Sequence, residues 1–241
     1  MRPKRLLVAA LAVGIAASVS GVAIGAPAVQ SIDVQVGGKA KPKLDRKKFK
    51  KTSIEVETTV HDQANPDGIP PKANRALINF DRKNVKFKPN AAQGCDPAQI
   101  ENTTTETAKG VCGASVVGKG SAIAALPFGP GGARQDFPAV VTAFNDATQR
   151  GLLLHSRVDS LGTTVVLKGE LQGKTLDVAI PPLGGGVGAI AQFEAKVKKG
   201  KYVQARCKGK KFKTTSEWSY NDAPNATATD KQKCKRKKKR R

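Results

Sequence analysis

The chain has 241 residues and a formal net charge of +23, from 42 Lys and Arg against 19 Asp and Glu. Two histidines and four cysteines leave few soft ligands for a transition-metal centre, and none are spaced as C-x-x-C or H-x-x-x-H. With eight Phe, two Tyr and one Trp, the chain is also poor in the aromatics on which single-stranded nucleic acid stacks.

Met1-Arg2-Pro3-Lys4-Arg5 precedes an uncharged stretch from Leu6 to Gly25, the order of a secretory n-region and h-region. Ala26-Pro27-Ala28 puts small residues at the -3 and -1 positions of a cleavage after Ala28. The competing reading is a retained anchor, since a run of about 20 residues can span a bilayer. Ala, Gly and Ser make up most of the run, so its transfer into lipid is weak. Residues 1–28 are read as a signal peptide and the product as secreted, extracellular or held in the cell envelope.

Residues 29–51 contain Gly37-Gly38, Pro42 and eight cations from Lys39 to Lys51. They are expected to form a basic flexible linker, with room for a first strand at Ile32–Val36. The folded domain is expected over 52–220. Ile54, Val56, Thr58 and Val60 alternate with Glu55, Glu57 and Thr59, the period of a half-buried strand. Asn65-Pro66-Asp67-Gly68 follows in β-turn order. Further runs rich in Val, Ile, Thr and Phe predict strands at Ala76–Phe80, Asn84–Lys88, Ser115–Ala124, Ala139–Asn145 and Leu152–Val158. The series continues at Thr163–Leu171, Thr175–Ile180, Ala189–Val197, Tyr202–Cys207 and Phe212–Tyr220, with Gly or Pro in most gaps. Many short strands at this spacing predict an all-β fold, a β-sandwich of immunoglobulin-like or jelly-roll-like type. One short helix is expected over about 97–106, capped by Asp96, with Pro97 at its first position and Gln99 completing a capping box.

The cysteines are Cys95, Cys112, Cys207 and Cys234. An even number in an exported chain implies disulfides, and four allow three pairings. The sequential pairing closes the shortest loops, each contributing on the order of 3 kcal/mol through the unfolded state.

Ala76-Leu77-Ile78-Asn79-Phe80-Asp81, Gly94-Cys95, Cys112, Val117-Gly118-Lys119-Gly120 and Ala143-Phe144-Asn145 stand in this order. Leu154-His155, Ile180-Pro181-Pro182-Leu183-Gly184-Gly185, Ala205-Arg206-Cys207 and Cys234 follow. The ensemble, from Ile54 to Cys234, resembles a group of uncharacterised secreted β-rich proteins of actinobacteria. That resemblance implies an exported all-β domain with Cys95–Cys112 and Cys207–Cys234 paired. It brings no assigned activity and no catalytic residues.

No catalytic, cofactor or metal site is expected. Gly113 to Gly120 nearly matches a phosphate-binding P-loop, but Gly120 replaces the magnesium-binding hydroxyl and a β-like run follows instead of a helix. A glycine-punctuated strand accounts for it better. Leu183-Gly184-Gly185-Gly186 lacks a surrounding βαβ unit and reads as a loop. His155, with Ser156 and Asp159 nearby, is the one candidate for a hydrolase centre. Neighbours on a strand point to opposite faces, so His155 and Ser156 do not converge without a bulge. Glu55 and Glu57 share the outward face of one strand and read as charged surface.

The charge is clustered. Residues 196–213 hold nine cations, and residues 231–241 hold nine more. Tyr202–Cys207 and Phe212–Tyr220 are expected to form a hairpin around Lys208-Gly209-Lys210-Lys211. If Cys207 pairs with Cys234, the tail 221–241 is tethered beside that turn. Lys208, Lys210, Lys211 and Lys213 then join Lys235, Arg236, Lys237, Lys238, Lys239, Arg240 and Arg241 in one positive patch. Such a patch attracts polyanions with strong salt dependence. The expected partners are anionic polymers: cell-wall polymers, acidic polysaccharide, nonspecific nucleic acid or anionic lipid. No specific small-molecule ligand is expected. The leading function is a non-enzymatic binding or structural module; the alternative is an extracellular hydrolase near His155.

Overall fold

The computed structural model describes residues 28–37 and 44–234. The alternation of Ile54, Val56, Thr58 and Val60 has the expected result: these side chains are buried, while Glu57 and Thr59 face out. The same rule builds the other strands. In chain order they are β1 (Ala28–Val36), β2 (Lys50–Lys51), β3 (Ile54–Asp62), β4 (Ala73–Asn79), β5 (Val85–Phe87), β6 (Val116–Phe128) and β7 (Ala133–Asn145). Then come β8 (Gly151–Val158), β9 (Thr163–Gln172), β10 (Thr175–Ala179), β11 (Ala189–Val197), β12 (Val203–Ala205), β13 (Lys211–Tyr220) and β14 (Ala226–Lys233).

The fold is all-β. Eleven strands form one antiparallel sheet in the order β1-β3-β11-β6-β7-β8-β9-β10-β4-β13-β14, and β2-β12-β5 form a small second sheet. The large sheet curls until its two edge strands lie side by side, giving a nearly closed barrel. Side chains bridge the seam that β1 makes with β14 and β13. Gln232 Oε1 accepts the Val36 N–H at 2.8 Å, and Gln30 Nε2 donates to Ser216 Oγ at 3.4 Å. The edge donors that would otherwise template aggregation are thereby partly covered. Asp230 sits at the same seam. Burial holds its carboxyl above the ordinary range, against the N–H of Lys231; Asp33 adds repulsion.

The barrel walls meet across one apolar core that includes Val34, Ile54, Val141, Leu154, Leu167 and Trp218. A cavity of about 60 Å³ remains inside it, lined almost wholly by such side chains. The small sheet joins this core through Val85, Val203 and Ala205. Burying one Leu- or Val-sized side chain contributes roughly 1.5–3 kcal/mol, so opposed walls of this kind carry much of the stability.

A second, smaller core lies on the outer face of the barrel. Strand parity turns Phe144 of β7 and Leu153 of β8 outward, where Ile100, Ala108 and the Cys95–Cys112 disulfide cover them. The cover is a 3-10 turn at Pro97–Gln99 followed by helix α1 (Thr105–Cys112).

Four expectations change at this level. Asp96 does cap, accepting the Ala98 N–H, but Pro97 opens only a 3-10 turn. The α-helix starts later, behind Thr104, whose hydroxyl accepts the Thr107 N–H; the hydroxyl-rich Thr103-Thr104-Thr105 supplies the stronger start signal. Part of the expected linker is structural: β1 pairs along its whole length with β3, and Leu44 is buried. Part of the expected tail is the strand β14, paired with β13 from Ala226 to Lys233. Finally, 202–207 and 212–220 are not a hairpin. Val203 and Ala205 are fully buried between β2 and β5, so residues 206–210 cross from the small sheet to the large one.

Candidate functional site

Backbone hydrogen bonds tie together three lysine-rich segments that are far apart in sequence. Cys207 N–H donates to Asp45 O at 2.7 Å and Arg206 N–H to Asn84 O at 2.9 Å. The Arg206 guanidinium donates to Lys83 O and Lys47 O and stacks over Phe49, 4.5 Å from the ring centroid. Thus the segments 44–51, 81–88 and 206–213 meet around Arg206. The first of these was expected to be a separate linker.

The described ends of the two expected clusters of the C-terminal half also meet. Cys207 is bonded to Cys234 across a sequence separation of 27, and Cys234 N–H donates to Lys210 O. The β13–β14 register sets Lys211 opposite Lys233 and Lys213 opposite Lys231. All four side chains point outward and are exposed, because their neighbours Phe212 and Thr214 point in. Like charges directly opposite are destabilising, so the fold carries this arrangement at a cost. Lys208 N–H donates to Asn84 Oδ1, which fixes the connecting turn. Lys235, Arg236, Lys237, Lys238, Lys239, Arg240 and Arg241 lie outside the described residues.

Carboxylates at this end are engaged with backbone. Asp45 accepts the N–H groups of Lys48 and Lys47, which hold its pKa below the ordinary value. Asp81 accepts from Lys83 N, Asn84 Nδ2 and Lys213 N. Among the described residues, Lys210, Lys211, Lys213, Lys231 and Lys233 make no ion pair.

His155 is fully buried under the 3-10 turn and α1, on the barrel's outer face. Its Nε2 donates to Thr103 O at 3.1 Å. Burial holds its pKa below the ordinary imidazole value, opposed by that hydrogen bond. Ser156 pairs across from Val141 and faces the barrel interior, while the Asp159 carboxylate lies 3.3 Å from the Arg157 guanidinium. The three side chains do not converge. Gly113 to Gly120 forms a 3-10 turn and the start of β6, with no helix following. A Cβ on Gly120 would come within 1.8 Å of Glu194 O, and one on Gly118 within 2.4 Å of Lys196 O. These glycines allow β6 and β11 to pack closely. Among the described residues no group of three or more His, Cys, Asp or Glu could hold a metal ion.

No protein-family model matches the chain, and no curated protein or solved structure does.

Proposed function

We propose that the chain is an exported binding module that attaches to anionic polymers in or outside the cell envelope through one basic end of its barrel. The observation that carries this reading is the cross-strand lysine quartet, Lys211 with Lys233 and Lys213 with Lys231, held beside the Cys207–Cys234 disulfide. Cations that repel one another and have no carboxylate partner gain most from an external polyanion. In sequence, Lys235 to Arg241 follow Cys234 directly and bring seven more cations. The segments 44–51 and 81–88 extend the field around it.

Teichoic-type phosphates and acidic polysaccharides fit this chemistry, as do nonspecific nucleic acid and anionic lipid headgroups. Attraction of this kind depends on charge density more than on shape, so its signature is salt sensitivity. The test is retention of the full chain on phosphate-bearing wall fragments and on the same fragments stripped of phosphate. Retention is expected on the first alone, with release by salt. Equal retention on both would remove the electrostatic reading. The alternative, a hydrolase near His155, gains no support from the geometry; it would be revived by ester, glycan or peptide turnover that His155→Ala abolishes.

A further inference from the structure

We propose that the barrel lumen is a binding site for a single alkyl chain, the tail of an amphiphile, entered where Pro181 to Gly188 connect β10 to β11. The site does not draw on the basic end or on its lysines.

Barrel size gives the first reason. Eight strands already enclose room for one small ligand, and diameter grows with strand number. The eleven strands here therefore surround more space than an eight-stranded wall does. One side of that wall is built from small residues: Ala195 lines the cavity and is paired with Gly120 of β6. Phe193 and Ala195 point inward with Val197, yet they are only half-buried, whereas Thr58 and Val56 opposite them on β3 are buried. Apolar surface inside the barrel is thus left uncovered.

Shape and chemistry select the ligand. The cavity of about 60 Å³ is lined both by Ile190, near the start of β11, and by Val197 at its end. Those residues are about 20 Å apart along the strand, at ~3.3 Å per residue. So small a volume over such a length is a narrow bore, unsuited to a ring system or to two chains side by side. Leu152, Leu154, Leu167 and Leu176 line it and widen it by changing rotamer as a chain enters. Among the described residues the lining holds no charged side chain, and its polar groups are the Thr58 hydroxyl and the Trp218 indole N–H. Water finds few partners in such a space, while an alkyl chain gains from the burial of each methylene.

The lumen also has an approach. It shares Ile180 and Ile190 with a smaller cavity of about 20 Å³ under the loop, whose lining includes Lys72 and Asn221. Gly184, Gly185 and Gly186 of that loop have φ of 54°, 70° and 91°. Glycine adopts this conformation without strain and adds no side chain to bar the way. The polar head of the amphiphile stays at this rim, beside Asn221 and the Lys72–Asp222 ion pair.

Trp218 is the only tryptophan of the chain and lines the lumen, so its fluorescence reports occupancy. The full chain is titrated with bromoundecanol, whose bromine quenches an indole in contact with it, and then with decanol as competitor. Both are uncharged, so the basic surface does not retain them. Saturable one-to-one quenching that decanol reverses is expected. Ala195→Leu, which fills the lumen, should weaken binding at least about tenfold. Val111→Ser with Val140→Ser removes exposed apolar groups from the outer face and should change the affinity by less than about twofold. Absence of saturable quenching, quenching that decanol does not reverse, or equal losses from the two variants would overturn the proposal. Should Ala195→Leu fail to fold, quenching and its reversal in the unaltered protein decide the matter alone.

Discussion

The two disulfides keep opposite company. Cys95–Cys112 closes over Ile100, Ala108, Phe144 and Leu153, a small apolar core on the outside of the barrel. Cys207–Cys234 lies at the edge of the main core, Cys207 fully buried in it, and joins the lysine-rich crossover from the small sheet to the end of β14. Both links meet buried apolar side chains, but the second lies beneath a surface of like charges. The first region is built for stability. The second gives up some stability to hold like charges together, which is reasonable only if something outside the molecule compensates them.

Perturbations of each region should separate these roles. The largest effect is expected from Phe144→Ala, which empties the centre of the outer core. Denaturant unfolding should show a loss of about 3–5 kcal/mol with little change in affinity for anionic polymers. Replacing Cys95 and Cys112 together by Ala should cost about 3 kcal/mol, again without effect on binding. The matching replacement of Cys207 and Cys234 should cost a similar amount but also weaken binding, because the end of β14 is released from the turn. If both double variants bind alike, the second disulfide has no part in organising the basic end.

A smaller effect concerns His155. Its folded-state pKa lies below the ordinary value of 6.5, chiefly through burial. The unfolded chain therefore takes up the proton first as pH falls, and stability drops below about pH 6.5 toward the folded-state value. Thermal melts at about pH 7.5 and about pH 5.5 should show this drop, and His155→Gln should flatten it. An unchanged slope in the variant would assign the acid sensitivity to other groups. The smallest effect has the opposite sign. Lys231→Gln with Lys233→Gln should raise stability by a few tenths of a kcal/mol, by relieving cross-strand repulsion, while lowering affinity.

Much of the sheet was legible in the sequence. Ala189–Val197 has the bounds expected from its alternation, and the runs at Thr163, Thr175 and Phe212 differ by a residue or so at their ends. These strands carry large apolar residues on one face, so period-two patterning marks them. β14 was not legible for a physical reason. Its inward residues are Ala226, Ala228, Asp230 and Gln232: the small alanines pack against the edge of the core, and Asp230 and Gln232 lie at the barrel seam. β1 was only half seen, since its first part lies next to a signal-like segment and its sequel is lysine-rich. Barrel closure was hidden for the same reason: side-chain bonds such as Gln232 to Val36 leave no pattern in the chain. At the candidate site, Lys208, Lys210, Lys211 and Lys213 were expected together from charge density, and the Cys207–Cys234 bond places their turn beside the end of β14. The convergence of 44–51 and 81–88 on Arg206 was not, because it depends on main-chain carbonyls.

The most direct measurement is the salt dependence of binding to a phosphate-bearing polymer, for the full chain and for a variant with Gln at Lys211, Lys213, Lys231 and Lys233. If the quartet contacts phosphates, the slope of log affinity against log salt should become shallower by about three, at roughly 0.7 per lost contact. An identical slope and affinity in the two proteins would contradict the account, because the cross-strand lysines would then carry no part of the attraction.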